Sequence, residues 1–395
     1  MKHPLYFHWG VSTLFGWGVY GLNLLRHWQA VSGSPAYCIG QIQLQSLAGM
    51  DPLTLRQLSQ PLVDSDQMRR TRDALPDPTL PLDGFVLHSL GNRFTSAALT
   101  KESGLRGLAT AGVIFFEDTN LPDASTASAA FSVIVAGSTW CEQVLRANGV
   151  NNVATVIQGV DTSLFHPAPR AGSLEGRFAV FSGGKIERRK GQDLVLLAFR
   201  AFAQRHPEAI LVTAWHSPWP IAAVTINQNP AIAPVGFTAE GALDMAGWVR
   251  ANGIGENQYI DLGSIPNHQM ARVLREMDVA VFPNRCEGGT NLVAMECMAC
   301  GVPVILSDNT GHKDLTALGS AYALTKQAEV ASSDGIGTVG WGESDVDEIV
   351  ESLERVWSQR EEARLAGLAG AEVIAHWNWR NQIARLHDVL APLCP

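Results

Sequence analysis

Alternating strand-like and helix-like segments, repeated in each half of the chain, constrain the fold more than any other feature of the sequence. Short apolar segments with strand chemistry occur at 4–10, 83–89, 112–118, 131–137 and 153–159, and again at 177–183, 209–215, 258–264, 279–285 and 302–308. Helix-like segments include 19–30, 140–148, 191–205, 238–252, 267–276 and 291–300. Fully apolar strands that alternate with helices are typical of parallel sheets covered on both faces. The sequence therefore predicts the α/β class.

A stretch with several Pro and Gly residues, HPAPRAGSLEG at 166–176, separates the two halves. Such a stretch predicts a linker, and a chain of 395 residues has the length of two domains or three. We therefore expect two doubly wound, Rossmann-like domains, at 1–165 and 177–376, that face each other across a cleft. In sheets of this kind ligands bind beyond the carboxyl ends of the strands, so functional residues are expected directly after strands.

The composition argues against several classes of protein. With 29 basic and 38 acidic residues the formal net charge is −9, which disfavours a general nucleic-acid-binding surface. No apolar run reaches the ~18 residues that span a bilayer, and the N-terminal segment lacks the pattern of a signal peptide. The six cysteines are scattered, and the close pair Cys297 and Cys300 is predicted to be buried packing. These features predict a cytoplasmic protein, and contact with the inner face of a membrane stays open.

The most informative motif, E-G-G-T-N-L-V-A-M-E, starts at Glu287, shortly after an apolar strand. Its two glycines, Gly288 and Gly289, allow the backbone to approach a ligand closely. A helix is predicted to begin near Asn291, and the free N–H groups at its start form an anion site. Glu296 lies inside that helix, where its carboxylate can accept hydrogen bonds from ribose hydroxyls. The alternative is that Glu287 and Glu296 are solvated surface carboxylates.

A second motif, G-K-I-E-R-R-K-G, also follows a strand and starts at Gly184. Lys185 and Lys190 bracket two arginines, which concentrates positive charge next to a Gly-rich turn. A diphosphate needs such charge, because it becomes more negative as a bond to it breaks. An ordinary solvated basic turn is the alternative. The presence of both motifs in one predicted domain favours a nucleotide diphosphate site.

These motifs resemble those of the retaining GT-B glycosyltransferases of the large glycogen-synthase and sucrose-synthase-like group, which is glycosyltransferase family 4-like. The family pattern G-[RK]-x-x-x-x-K-G is met from Gly184 to Gly191, and the helix end of the E-x7-E pattern is met at Glu296. The segment from Gly159 to Pro167 is similar to the family's G-V-D-x-x-x-F-x-P. The tail at Trp379 is similar to the family's crossover helix, so the resemblance implies that 377–395 packs on the N-terminal domain.

The spacing of the two glutamates departs from the family pattern. Eight residues separate Glu287 from Glu296, one more than in E-x7-E, so the family register of the first glutamate falls on Gly288. The segment that follows is also similar to the G-M-N-L-V of trehalose-phosphate synthases, whose backbone N–H groups hold the donor. The resemblance therefore implies a donor-binding loop that comprises Gly288, Gly289, Thr290, Asn291 and Leu292. Glu287 is a candidate for contact with the donor sugar, and recognition by the backbone alone is the alternative.

The N-terminal half offers candidates for the acceptor side. The end of the predicted strand 112–118 resembles the F-E-T of a family subgroup, which implies a role for Glu117, whereas many members carry V-x-H there. His88, on the preceding predicted strand, is a candidate pocket histidine or a structural one. In the resembled family the Gly-rich turn that contains Gly16 and Gly18 closes on the donor phosphates and the acceptor. Tight packing is the alternative for that turn.

Two further features concern the pocket and metals. Trp215 and His216 follow the second strand of the C-terminal half, where they either shape the base or sugar pocket or pack in the core. The two Asp-x-Asp sequences, at 64–66 and 345–347, do not follow strands, so no manganese-diphosphate site is predicted. We expect no metal and no cofactor, with the nucleotide diphosphate sugar as co-substrate.

The resemblance implies an enzyme of polysaccharide biosynthesis that transfers a sugar from UDP or GDP to a glycan, a lipid-linked sugar or another hydroxyl compound, with retention at the anomeric carbon. The resemblance also implies a front-face mechanism, in which the leaving phosphate helps to deprotonate the acceptor. No carboxylate pair in the sequence is obviously placed for double displacement. Two alternatives stay open: a non-catalytic nucleotide-sugar-binding protein and a GT-B-shaped epimerase. A phosphorylase is disfavoured because the sequence offers no convincing lysine for its cofactor.

Overall fold

The sheet of the N-terminal half has six parallel strands in the order β2-β1-β3-β4-β5-β6. The computed structural model describes residues 3–77, 79–94, 104–216, 219–332 and 335–394. The strands are Leu5–Phe7 (β1), Ala36–Cys38 (β2), Leu82–Leu90 (β3), Gly107–Ile114 (β4), Val133–Ala136 (β5) and Val153–Thr155 (β6). Most of their side chains are buried, as expected for a sheet with helices on both faces.

The C-terminal half repeats this design with the parallel order β12-β11-β10-β7-β8-β9. Its strands are Phe178–Gly183 (β7), Ala209–Ala214 (β8), Tyr259–Asp261 (β9), Val279–Phe282 (β10), Val304–Ser307 (β11) and Tyr322–Leu324 (β12). An antiparallel hairpin follows, formed by Gln327–Glu329 (β13) and Gly342–Ser344 (β14). Two parallel α/β sheets, one in each half, confirm the predicted fold class.

Helices connect the strands in both halves. Those of the N-terminal half are Gly16–Ser32 (α1), Pro52–Asp73 (α2), Ala124–Ser128 (α3) and Thr139–Ala147 (α4). Those of the C-terminal half are Gln192–Ala203 (α5), Met245–Ala251 (α6), Asn267–Leu274 (α7), Leu292–Ala299 (α8), Lys313–Thr316 (α9), Val346–Ser358 (α10) and Arg360–Ile374 (α11). The last helix, Trp379–Leu390 (α12), ends the chain's regular structure together with a short 3₁₀ turn.

Helix α12 returns to the N-terminal half. Its residues Ile383, Leu386 and Leu390 are buried in the same apolar cluster as β1 and α1. Where the chain returns, its backbone pairs with the outgoing segment, since Val160 N donates to Trp377 O at 2.9 Å and Trp379 N donates to Val160 O at 3.2 Å. The two connections between the halves therefore lie side by side.

The two halves also touch along an interdomain seam, which we define as the contact of 115–139 with the segments 287–291 and 309–314. Ser138 Oγ donates to the carbonyl oxygen of Gly288 at 2.8 Å, and Thr139 N donates to a carboxylate oxygen of Asp314 at 2.9 Å. A Cβ on Gly288 would lie 2.4 Å from the carbonyl oxygen of Phe116. Only glycine fits there, because the two backbones meet without intervening side chains.

We expect Gly288→Ala to lower the free energy of unfolding by about 1–3 kcal/mol, because the added methyl group overpacks the seam. Chemical denaturation monitored by tryptophan fluorescence measures the change. Gly236→Ala is the matched control, since a Cβ at Gly236 meets no atom within 4 Å. Equal stability of both variants would contradict the close packing of the seam.

The structure also bears on two expectations from the sequence, which concern the burial of the cysteines and the presence of membrane-spanning helices. All six cysteines are free thiols and all are buried, as expected for packing residues. Within the described ranges, no helix has both the length and the apolar character that crossing a bilayer requires.

Candidate functional site

A cavity of about 630 Å³ lies between the two halves, where the carboxyl ends of strands of both sheets face each other. Most of the residues that the sequence predicts for the site line this cavity: Gly16, Glu117, Gly184, Lys185, Lys190, His216, Glu287, Gly289, Asn291, Leu292 and Glu296. The two motifs of the C-terminal half and the Gly-rich turn of the N-terminal half are thus brought to one place.

Two aromatic candidates lie in the core rather than in the cavity lining. His88 is fully buried and its Nε2 lies 3.0 Å from the carbonyl oxygen of Leu105, and burial lowers its pKa to about 4. Trp215 is also fully buried, and its indole N–H donates to Ser182 Oγ at 3.1 Å. Among the described residues, neither belongs to the cavity wall. The structure therefore favours the structural alternative for both.

Three predicted loop and turn residues also lie behind the cavity wall. Gly18 packs against Ser12, where a Cβ would lie 2.6 Å from the Ser12 carbonyl oxygen. Gly288 belongs to the interdomain seam. Thr290 is buried, with its hydroxyl 2.9 Å from the sulfur of Met295. These residues shape the backbone of the site without lining it in the described chain.

Arg189 is the centre of a charge network in the cavity, although the sequence singled out the lysines on either side of it. Its guanidinium lies 3.3 Å from Glu117 and 3.2 Å from Glu287, and it is in direct contact with Glu187. A further N–H donates to the carbonyl oxygen of Cys286 at 2.9 Å. One buried cation thus holds three carboxylates, and one of these, Glu117, comes from the N-terminal half.

Glu287 is fully engaged by this network. Lys190 and Asn284 contact one of its carboxylate oxygens, and Arg189 contacts the other. Burial alone would raise the pKa of Glu287, but the Lys190 and Arg189 charges outweigh it and lower the pKa to about 2. Glu287 is therefore an anion that fixes the position of the Lys190 ammonium group. Lys185 pairs with Glu187 at 3.2 Å, and 37% of its side chain is exposed. It also lines the cavity.

Glu296 has a different environment on helix α8. Its carboxyl oxygen accepts a hydrogen bond from Asn267 Nδ2 at 2.5 Å. Burial raises the pKa of Glu296 to about 8, and the Asn267 hydrogen bond opposes this rise. Asn267 belongs to α7, and its backbone N–H donates to the carbonyl oxygen of Thr13 in the N-terminal half at 2.7 Å. No motif in the sequence pointed to Asn267.

The donor loop, which we define as residues 287–292, leads into the start of α8. Asn291 is the N-cap of this helix, with a positive φ of 64°, and its side-chain oxygen accepts from Ala294 N at 3.4 Å. The first N–H groups of a helix lack intrahelical partners and carry the positive end of its dipole. At α8 they lie at the cavity, because Asn291, Leu292 and Val293 line it.

Aromatic rings of the N-terminal half form the opposite wall, which the sequence analysis did not identify. Trp17 and Phe115 meet edge to face with ring centroids 4.9 Å apart, and both line the cavity. Phe15, at the start of α1, lies 5.9 Å from the ring of Trp219 in the C-terminal half. Rings of this kind offer apolar faces on which the C–H faces of a sugar can pack. Across the described ranges, no cluster of three or more His, Cys, Asp or Glu side chains is arranged to hold a metal ion.

Comparison with a family model relates the C-terminal half to known sequences. Residues 177–359 match the family described as Glycosyl transferases group 1. A curated relative, the GDP-mannose-dependent alpha-(1-6)-phosphatidylinositol monomannoside mannosyltransferase of Mycolicibacterium smegmatis, is 26% identical over 247 residues. This match covers 59% of the chain and 54% of the relative, so the chain spans about half the length of the curated relative it matches.

Solved structures share the whole fold. The chain is similar to sucrose-phosphate synthase from Thermosynechococcus elongatus, with a TM-score of 0.65, 16% identity and 99% of each chain covered. It is similar to Anabaena Alr3699/HepE in complex with UDP and glucose, with a TM-score of 0.65, 13% identity, and 98% and 99% of the chains covered. Trehalose 6-phosphate synthase from Burkholderia multivorans gives a TM-score of 0.62, at 13% identity, and covers 100% and 99%. At this identity the similarity shows the fold, which is GT-B.

Proposed function

We propose that this chain, which has the GT-B fold and whose residues 177–359 match the Glycosyl transferases group 1 model, is a glycosyltransferase that transfers a hexose from UDP or GDP to a hydroxyl acceptor with retention at the anomeric carbon. One observation carries the proposal: a single cavity brings together Lys185, Lys190, Glu296 and the start of α8. These groups supply the positive charge, the N–H donors and the hydrogen-bonding carboxyl that a nucleotide diphosphate sugar requires.

In this proposal Lys185 and Lys190 bind the diphosphate, and the start of α8 adds backbone N–H groups. As the bond between the anomeric carbon and the diphosphate breaks, negative charge grows on the leaving oxygen. The Lys190 ammonium, held in place by Glu287, stabilises that charge more in the transition state than in the ground state. Glu296 accepts hydrogen bonds from the ribose hydroxyls.

The acceptor binds on the side of the N-terminal half, between Gly16, Glu117 and the aromatic wall. Its hydroxyl oxygen bonds to the anomeric carbon on the face from which the diphosphate leaves, and its proton passes to an oxygen of the leaving phosphate. Arg189 occupies the space between Glu117 and Glu287, and this supports a front-face route over double displacement. The acceptor class is a glycan, a lipid-linked sugar or another hydroxyl compound, and we place the reaction in the cytoplasm.

A panel of UDP- and GDP-hexoses, each with and without candidate glycan and lipid-linked acceptors, tests the function. Released nucleoside diphosphate and the configuration of the product are measured by NMR. Slow donor hydrolysis and an acceptor product with retained configuration support the proposal. Binding without turnover would indicate a non-catalytic protein, and an epimerised donor in the absence of acceptor would indicate an epimerase.

Chelation of divalent metals is expected to leave the transfer rate essentially unchanged. The reason is that the two lysines and the amides of α8 neutralise the diphosphate without a Lewis acid. The rate in EDTA is compared with the rate after addition of excess Mg²⁺ or Mn²⁺. Strict dependence on either ion would contradict this assignment of the lysines.

Glu296→Gln is expected to weaken the binding of free nucleoside diphosphate and of the sugar donor by about tenfold or more, because a hydrogen bond to a charged acceptor contributes about 1.5–3 kcal/mol. Since the pKa of Glu296 is about 8, ribose binding at pH 7 favours the carboxylate and releases a proton. Affinity therefore rises as the pH is raised towards 8.

Calorimetry in buffers of different ionisation enthalpy measures that proton release. Glu296→Gln removes it, whereas Glu287→Gln keeps it, because Glu287 is already ionised at pH 7. Proton release that persists in Glu296→Gln would assign the ribose contact to another group.

A further inference from the structure

We propose that His312 is a positioning residue for the donor sugar: it fixes Asn291, and with it the backbone of the donor loop that presents N–H groups to the sugar diphosphate. The inference rests on the proposed function and deepens it. His312 lies behind the loop and is fully buried, and its ring contacts Asn291, which lines the cavity.

A chain of hydrogen bonds connects the donor loop to Asn284, in the segment that follows β10. Asn291 Nδ2 lies 3.1 Å from His312 Nε2, His312 Nδ1 lies 2.9 Å from Ser307 Oγ, and Ser307 Oγ donates to the carbonyl oxygen of Asn284 at 2.7 Å. The donor and the acceptor of each of these hydrogen bonds follow from the groups at the two ends of the chain of bonds. Ser307 uses its proton on Asn284, so its oxygen accepts from His312 Nδ1–H. Asn291 uses its oxygen on Ala294 N, so its amide donates to His312 Nε2.

This chain requires the neutral imidazole with its proton on Nδ1. A proton on Nε2 would place two donors face to face and break the contact with Asn291. Burial is the main reason that the pKa of His312 is lowered to about 4, with Glu287 opposing this shift and the Lys190 and Arg189 charges adding to it. The neutral ring therefore persists at physiological pH, which keeps the direction of the chain fixed.

Asn291 needs such support because its backbone is strained. A positive φ of 64° is uncommon for a residue other than glycine, and asparagine tolerates it best. The side chain of Asn291 is held at both ends, by His312 and by Ala294 N. Loss of either contact frees the loop to leave this conformation.

The turn that carries His312 also forms hydrogen bonds with the rest of the donor loop. Gly311 N donates to the carbonyl oxygen of Glu287 at 3.0 Å, and Glu287 N donates to Thr310 Oγ1 at 2.8 Å. A Cβ on Gly311 would lie 1.8 Å from the carbonyl oxygen of Gly289. The turn 309–312 thus supports the donor loop through these contacts.

The nucleotide end of the site does not depend on the turn 309–312. Glu296 is held by Asn267 of α7, whereas His312 acts on the residue before α8. We therefore expect His312 to affect mainly the sugar end of the donor, and to leave the binding of the nucleoside diphosphate largely intact.

Three variants of the full chain test the proposal. His312→Gln carries an amide oxygen that reaches the Nε2 position and accepts from Asn291, His312→Asn reaches only the Nδ1 position, and His312→Leu makes neither bond. We expect His312→Leu and His312→Asn to lower kcat/KM for the hexose donor by about tenfold or more, with the Kd for UDP or GDP changed by less than about threefold. His312→Gln should recover most of the activity.

The outcomes separate the inference from the proposed function. No binding and no turnover by the wild-type chain with any donor would overturn the proposed function. Equal transfer activity of His312→Leu and an active wild-type chain would overturn the positioning role alone. A His312→Leu variant whose binding of nucleoside diphosphate falls as strongly as its transfer activity would do the same.

A readout independent of turnover is the tautomer of His312. In ¹⁵N-histidine-labelled protein, the resonance pair that disappears in His312→Gln should show an unprotonated Nε2 and a protonated Nδ1, unchanged from pH 8 to pH 5. The opposite tautomer would overturn the hydrogen-bond chain.

Discussion

Lys190→Ala is expected to lower kcat by about 10²–10³-fold while it changes the KM for the donor much less. The reason is that the charge on the diphosphate grows as the anomeric bond breaks, so the Lys190 ammonium contributes more to the transition state than to the bound donor. Steady-state kinetics with the preferred UDP- or GDP-hexose measures both constants. An unchanged kcat would remove Lys190 from the catalytic groups.

Two further variants define what this result means. Lys326→Ala is the matched control, because Lys326 is an exposed lysine that pairs with Glu351 at 3.8 Å and lies outside the cavity lining of the described chain. Glu287→Gln keeps the shape of its side chain but loosens the hold on Lys190. We expect it to impair transfer and to spare the binding of free nucleoside diphosphate. Wild-type behaviour in both assays would place sugar recognition on the loop backbone.

Arg189→Met is expected to lower the free energy of unfolding by about 3–5 kcal/mol, because it leaves three clustered carboxylates without their shared cation. Glu117, Glu187 and Glu287 all lie against this guanidinium. Chemical denaturation measures the change, and partial recovery at low pH is expected as the carboxylates become protonated.

Arg188→Met is the matched control for this variant. Arg188 is adjacent in sequence, and none of the ion pairs among the described residues involves its side chain. Arg189→Lys retains the charge but loses the fork geometry, so an intermediate effect is expected. Equal stability of Arg188→Met and Arg189→Met would contradict the central position of Arg189.

The sequence predicted the parts of the fold that have strong local signals. Buried central strands such as Phe178–Gly183 and Val279–Phe282 are mainly apolar runs, and turn residues mark their ends. The edge strands Ala36–Cys38 and Tyr322–Leu324 were missed, because three residues at the margin of a sheet carry little pattern. Helix α2 was not delimited, since only Leu58 and Ser65 of it are buried and no apolar stripe results.

The candidate site was predictable where its residues follow strands in a motif. Lys185, Lys190 and Glu296 are such residues, and all line the cavity. His88 shows the limit of that argument: β3 continues to Leu90, so His88 lies inside the strand and points into the core. Arg189 and His312 depend on which segments the fold brings beside them, and neither local sequence contains that information.

The paired crossings at Val160 and 377–379 have a mechanical consequence. Because both connections pass through one backbone bridge, that bridge is the natural pivot for a rotation of one half against the other. A swing that opens the cavity separates the Arg189–Glu117 pair and the seam at Gly288 together, while α12 stays packed on the first half. An opening of the cavity about this pivot therefore breaks these contacts between the halves as one unit and leaves the double crossing unchanged.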